Sequence, residues 1–167
     1  PLYKYKIVGP DSQLFLDGIA TRNIGICNVG QVMYTPWCDD QGKVIDDGTI
    51  QHLKKDHFRL TSAEPNLAWL LENSLKMDVN IIDESRHVAA LSLQGPLSRD
   101  ILNSISSISL DKLKYFWLME TNLKGIPVTI SRTGYTGDLG YEIWIDPSNS
   151  IKLWDSLMEA GKPFGIT

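Results

Sequence analysis

The sequence predicts an α+β protein made of two successive units with similar strand and helix order, and three observations carry that expectation. A Gly-Pro turn closes a β-rich run and opens a helix in both halves, as Gly9-Pro10-Asp11-Ser12 and as Gly95-Pro96-Leu97-Ser98. Each half continues with a hairpin and a further strand, marked by β-branched and aromatic residues between polar turns. An acidic-Pro turn, Glu64-Pro65 or Asp146-Pro147, then introduces a second helix, because proline suits the first helical turn.

The first half begins with a strand Tyr3–Val8 and a helix through Leu14, Phe15 and Leu16. A hairpin of 31–38 with 44–50 and a strand 58–61 follow, and then a helix that uses Leu67, Leu70, Leu71 and Leu75. In the second half the corresponding elements are a strand 88–93, a helix through Ile101 and Leu102, a hairpin of 113–121 with Ile126–Ser131, and a strand 141–145. The last helix uses Ile151, Leu153, Trp154 and Leu157, and both second helices have the spacing of a core-facing stripe. Residues 1–86 therefore form the first half and 87–167 the second. The trailing strand of the second half should follow Lys162-Pro163-Phe164-Gly165, so that half is expected to be incomplete at Thr167.

At 167 residues and 43% hydrophobic content, the chain can bury a real core. A net charge of −4 without any basic run argues against nucleic acid, which needs clustered Lys and Arg to displace counterions. Apolar stretches are interrupted every few residues and no charged-then-apolar leader opens the sequence, so neither a membrane span nor a signal peptide is expected. Cytoplasmic localisation is the expectation, and the two cysteines, Cys27 and Cys38, suit a reducing compartment as small core residues. His52, His57 and His87 share no metal-ligand spacing, so no metal site is expected.

Two stretches stand out chemically. Ser131-Arg132-Thr133-Gly134-Tyr135-Thr136-Gly137-Asp138-Leu139-Gly140-Tyr141-Glu142 places glycines at every third position, beside an aromatic ring and a carboxylate. Taken alone it is a hairpin with a glycine-rich loop that could lie against a flat heterocycle. Tyr34-Thr35-Pro36-Trp37-Cys38-Asp39-Asp40-Gln41-Gly42-Lys43-Val44-Ile45-Asp46-Asp47 is a strand, a polar turn and a returning strand with two adjacent carboxylates in an apolar run. Strand neighbours point to opposite faces, so only one of the two aspartates can face a given cavity. Asp39 and Asp40 fit the turn, and Lys54-Lys55-Asp56 fits a solvated one.

Together with the Gln94-Gly95-Pro96 turn, these stretches resemble the folate-binding domain of the aminomethyltransferase family, the T-protein of the glycine cleavage system and its folate-dependent demethylase relatives. The resemblance runs along the whole chain. It implies two tandem ferredoxin-like (β-α-β-β-α-β) units with antiparallel sheets, tetrahydrofolate as the bound partner, and an enzyme that passes a one-carbon unit to it. It also implies an upstream N-terminal segment and a C-terminal barrel domain beyond this sequence, so that the fragment alone is expected to be inactive. A lipoyl carrier protein would be the macromolecular partner.

The resemblance places Glu142 where a carboxylate accepts the adjacent N3–H and 2-amino donors of the pterin ring. Tyr34, Tyr115 and Tyr135 fall on positions resembling folate-contacting tyrosines, and Asp47 falls on the catalytic carboxylate. A fixed negative charge there would stabilise positive charge developing on the migrating carbon and the folate nitrogens. Asp46 then takes a structural role, by hydrogen bonding or at the solvent face.

Two departures from the family pattern bear on the donor while leaving folate binding intact: Leu60-Thr61-Ser62-Ala63-Glu64-Pro65 after the third strand, and Gly48-Thr49 after the aspartates. The first reading is a T-protein-like aminomethyltransferase. The alternatives are a demethylase acting on a small O-, N- or S-methylated donor, and a non-catalytic folate-binding protein of the iron–sulfur assembly type. The last is marked by a cysteine in a Lys-Gly-Cys-Tyr-x-Gly-Gln loop, where this sequence has Gly134.

Overall fold

The Gly-Pro turns have a conformational reason. Gly9 and Gly95 adopt φ of 135° and 119°, a region that L side chains rarely enter. In both, the glycine carbonyl accepts from the amide three residues on, Ser12 and Ser98, each at 3.0 Å, and a helix starts there. In the computed structural model of the chain, residues 2–167 are described, and they divide into two compact units, the first ending at Arg86 and the second running from His87 to Thr167.

The first unit runs β1 (Tyr3–Val8), α1 (Ser12–Ile19), β2 (Val32–Cys38), β3 (Val44–Lys54), β4 (His57–Ser62), α2 (Leu67–Asn73) and β5 (Asn80–Asp83). Its antiparallel sheet has the order β2-β3-β4-β1-β5. Tyr5 and Ile7 from β1, Met33 and Trp37 from β2, Ile50 from β3 and Phe58 and Leu60 from β4 join Phe15 and Leu16 of α1 and Leu70 of α2 in one buried cluster. Period-two alternation thus sends one face of each strand inward.

The second unit runs β6 (Ala89–Gln94), α3 (Ser98–Ile105), β7 (Leu118–Leu123), β8 (Ile126–Ser131), β9 (Gly140–Ile145) and α4 (Ser150–Gly161). Its sheet order, β6-β9-β8-β7, reproduces β1-β4-β3-β2 strand for strand. Strand β5 has no counterpart in this unit among the described residues. The core gathers Leu93, Ile101, Leu102, Ile130, Tyr141, Ile143, Leu153 and Leu157. Both units follow the ferredoxin-like plan, with one more strand between hairpin and second helix than a bare β-α-β-β-α-β unit has.

Three sequence expectations need correction. Leu71 and Leu75 are exposed: Leu70 sets the buried face of α2 and Leu71 lies off it, while Leu75 lies past the helix end at Asn73, where the Ser74 amide bonds back to the carbonyls of Leu70 and Leu71. Ile151 and Trp154 are exposed as well: Leu153 and Leu157, one turn apart, set the buried face of α4. The strand expected over 113–121 starts only at Leu118. Before it the chain turns, with Phe116 in the left-handed region at φ 58° and its amide on the Arg132 carbonyl at 3.0 Å.

Candidate functional site

On the β2–β3 hairpin, Thr35 is opposite Gly48, Pro36 opposite Asp47 and Trp37 opposite Asp46. Asp46 therefore shares the inward face with buried Trp37, and Asp47 shares the other face with Tyr34 and Pro36. The two aspartates separate as alternation requires. Asp46 is buried and accepts from the Asp47 amide at 2.8 Å, the Glu64 amide at 3.0 Å and Asn66 Nδ2 at 2.8 Å, tying β3 to the turn before α2. Asp47 is half-buried, and its Oδ2 accepts from the Tyr34 hydroxyl at 2.6 Å. The turn between the strands is closed by Asp39, whose Oδ1 accepts from the amides of Gln41 and Lys43, each at 2.9 Å.

The two departures from the family pattern meet in one place. A Cβ on Gly48 would lie 1.8 Å from the Thr61 carbonyl oxygen, so only glycine allows β4 to approach β3 this closely. Next to it, the Thr61 hydroxyl accepts from the Thr49 amide at 3.0 Å and lies 2.7 Å from the Thr49 hydroxyl. Gly48-Thr49 and Thr61 are one packing solution.

In the second unit, Glu142 lies on β9 directly opposite Ser131 of β8, and Thr129 lies opposite Trp144. Glu142 Oε2 accepts from the Thr133 hydroxyl at 2.5 Å. Thr133 Oγ1 is 2.7 Å from Ser131 Oγ, which in turn accepts from Trp144 Nε1 at 3.0 Å. Ser131, Thr133 and Trp144 were not among the expected site residues. For Ser131 and Thr133 a signal was available, as polar residues alternating at 129, 131 and 133 along β8 and just past its end, with Ile126, Val128 and Ile130 on the other, apolar face.

The glycine-rich loop is held by Gln94. Its Nε2 donates to the carbonyls of Thr133 at 3.3 Å and Tyr141 at 3.2 Å and to Ser92 Oγ at 2.9 Å, and its Oε1 accepts from the Thr136 hydroxyl at 3.2 Å. A Cβ on Gly134 or Gly140 would stand 2.1 Å or 1.6 Å from Gln94 Oε1. Close approach explains these two glycines, whereas Gly137 supplies positive φ, at 72°. The Gln-Gly-Pro turn and the loop thus form one assembly.

Tyr135 sits at the loop tip and is 95% exposed. Tyr115 is 66% exposed, with its ring edge-on to Phe116 at 4.7 Å, and so is not a core residue. Tyr115, Arg132, Thr133, Gly134, Asp138 and Gly140 are among the residues lining a cavity of about 260 Å³ behind the loop. Five expected site residues thus fall into two local groups, Tyr34 with Asp47 in the first unit and Tyr115, Tyr135 and Glu142 around the glycine loop in the second. No cluster of His, Cys, Asp or Glu suited to a metal ion occurs among the described residues. No helix among them is long and apolar enough to cross a membrane.

In class, the chain is a tandem α+β domain with two antiparallel sheets, a fold shared with solved structures. The glycine cleavage system aminomethyltransferase T from Bartonella henselae superimposes with a TM-score of 0.83 at 22% identity, over 94% of this chain and 43% of that one. The heterotetrameric sarcosine oxidase from Corynebacterium sp. U-96, in complex with pyrrole 2-carboxylate, superimposes with a TM-score of 0.73 at 20% identity, over 99% of this chain and 82% of that one. The family model of the GCVT N-terminal domain matches residues 1–167, and the chain belongs to that family. An aminomethyltransferase of Halothermothrix orenii is 40% identical over 164 residues, 96% of this chain and 46% of that protein. One from Clostridium botulinum strain Okra is 35% identical over 165 residues, 96% of this chain and 45% of its own length. The chain spans less than half the length of these curated relatives.

Proposed function

We infer that this chain is the folate-binding part of a tetrahydrofolate-dependent aminomethyltransferase of the glycine cleavage type. The observation that carries the reading is the Tyr34–Asp47 pair: a carboxylate held at 2.6 Å by a phenol on the half-open face of a hairpin, while its neighbour Asp46 is buried in structural bonds. Tetrahydrofolate supplies the nitrogens that accept the one-carbon unit. Asp47 supplies a fixed negative charge beside the positive charge that develops during transfer and orients the accepting nitrogen. Tyr34 fixes the carboxylate and leaves its ring partly exposed for contact with the ligand.

Glu142 suits the pterin's adjacent donors. Thr133 takes one lone pair of Oε2, and Oε1 has no hydrogen-bond partner among the described residues, so both oxygens can still accept. Exposed rings at Tyr115 and Tyr135 offer flat apolar surface on the same unit. The donor is an aminomethyl group on the lipoyl arm of a carrier protein. Mutual packing gives Gly48-Thr49 and Thr61 a structural reason that needs no change of donor. Unpaired Cys27 and Cys38 suit the cytoplasm.

The test is turnover by the intact protein with an aminomethyl-lipoyl donor and tetrahydrofolate, beside a panel of O-, N- and S-methylated donors. Release of ammonia with the first donor supports the reading. Turnover confined to a methylated donor replaces it with a demethylase, and folate binding without turnover of any donor replaces it with a non-catalytic folate binder.

A further inference from the structure

A chain of four polar groups, three on β8 and β9 and one just past the end of β8, has a single allowed direction. The Trp144 indole nitrogen can only donate, and a carboxylate oxygen of Glu142 can only accept. Between them stand two hydroxyls with one hydrogen each. Thr133 spends its hydrogen on Glu142 Oε2 at 2.5 Å, so the 2.7 Å contact between Ser131 and Thr133 requires Ser131 to donate. Trp144 Nε1 then donates to Ser131 Oγ at 3.0 Å. The Ser131 hydroxyl also lies 3.5 Å from the Glu142 carbonyl, too far to compete with the 2.7 Å bond.

Ser131, Thr133 and Trp144 are 0%, 4% and 3% exposed, so water is a poor substitute for any link. Thr133 is held from its other side as well, because its carbonyl accepts from Gln94 Nε2 at 3.3 Å. Its hydroxyl therefore joins the clamp on the glycine-rich loop to the carboxylate on β9.

We propose that Trp144, Ser131 and Thr133 form a one-way hydrogen-bond relay that locks the rotamer of Glu142, with Thr133 as the positioning residue that aims the carboxylate at the paired N–H donors of a pterin ring. The relay rests on the reading of Glu142 as the pterin acceptor. A carboxylate fixed through one lone pair of one oxygen keeps both oxygens in a defined plane, and a two-donor fork is sensitive to that plane. Ser131 acts one link further back and contributes less.

The test measures binding of folinic acid and of p-aminobenzoylglutamate, which lacks the pterin, to the intact protein by calorimetry. Thr133→Val keeps the side-chain shape and removes the hydroxyl; it should weaken folinic acid binding about tenfold, and Ser131→Ala about threefold. Thr133→Ser restores the hydroxyl and should return affinity to within about twofold of the parent. Binding of p-aminobenzoylglutamate should not change in any of these variants. In the Glu142→Gln background, Thr133→Val should have no further effect, since relay and acceptor act as one unit.

Folinic acid affinity that is unchanged or tighter in Thr133→Val, with Glu142→Gln weakened, overturns the relay and leaves the pterin reading standing. Equal losses for both ligands, or failure of Thr133→Ser to rescue, make Thr133 a general structural residue and also overturn it. Unchanged affinity in Glu142→Gln removes the underlying assignment of the pterin and the relay's purpose with it.

Discussion

Tyr34 and Asp47 are linked diagonally across the first hairpin, the phenol donating to Oδ2 at 2.6 Å from a strand position two residues away from Asp47's direct partner, Pro36. The bond fixes a carboxylate that a half-buried strand position would otherwise leave free to rotate. Asp47→Asn keeps the shape and removes the charge. Turnover should fall roughly 10²–10³-fold with little change in folate affinity, as for the loss of one preorganised electrostatic partner. Tyr34→Phe removes only the tether, and about a tenfold loss of turnover is expected. Steady-state kinetics beside calorimetry on the intact protein checks both; a larger loss in Tyr34→Phe than in Asp47→Asn would contradict the assignment.

Asp46 should behave in the opposite way. Three donors converge on its carboxylate, and Asp46→Ala would take the acceptor from the buried Asn66 side chain and from the partly buried amides of Asp47 and Glu64. A loss of roughly 2–4 kcal/mol in unfolding free energy follows. Urea unfolding measures it, and turnover per folded molecule should stay near that of the parent.

Gln94 and Gly140 make a coupled pair. Gly140→Ala drives a Cβ into Gln94 Oε1, but the obstructing atom is the end of a flexible side chain, so the damage is displacement of the clamp rather than a backbone clash. Gly140→Ala and Gln94→Ala should therefore be strongly non-additive, with the double variant little worse than Gln94→Ala alone. Faster amide exchange over residues 134–139 in both single variants would show the loop released. Additive effects would mean that Gly140 is required for another reason.

Burial pushes the Cys27 thiol up to about 11, with the Arg22 charge opposing in part, and the side chain is itself buried. The acid form is favoured in the folded state. The associated stability is thus fully present below the thiol's unfolded value and is lost as pH rises through the folded one. Iodoacetamide at pH 8 should modify half-buried Cys38 and spare Cys27, as read by mass spectrometry. The unfolding midpoint should fall between about pH 9 and 11, and Cys27→Ala should flatten that fall.

Much of the fold could be read from local chemistry. The paired Gly-Pro turns, the alternating strands and the acidic-Pro helix starts are short-range signals, and each marks an element in the structure. Strand alternation also separated Asp46 from Asp47, although only the resemblance indicated which of the two faces a ligand. Helix faces were read less well. Leu71, Leu75, Ile151 and Trp154 fit an amphipathic spacing, yet the end of α2 and the packing of Leu70, Leu153 and Leu157 decide what is buried.

By itself, then, the sequence determined the α+β class, the repeated element order and the two polar hairpins, because each depends on backbone preferences over a few residues. Only the tertiary structure decided the partnerships. Gln94 lies 40 residues from Gly134, Asp46 lies 20 from Asn66, and Thr133 reaches Glu142 only because β8 and β9 pair in one register. Which polar groups meet is fixed by strand register and side-chain packing, and neither has a short-range signature.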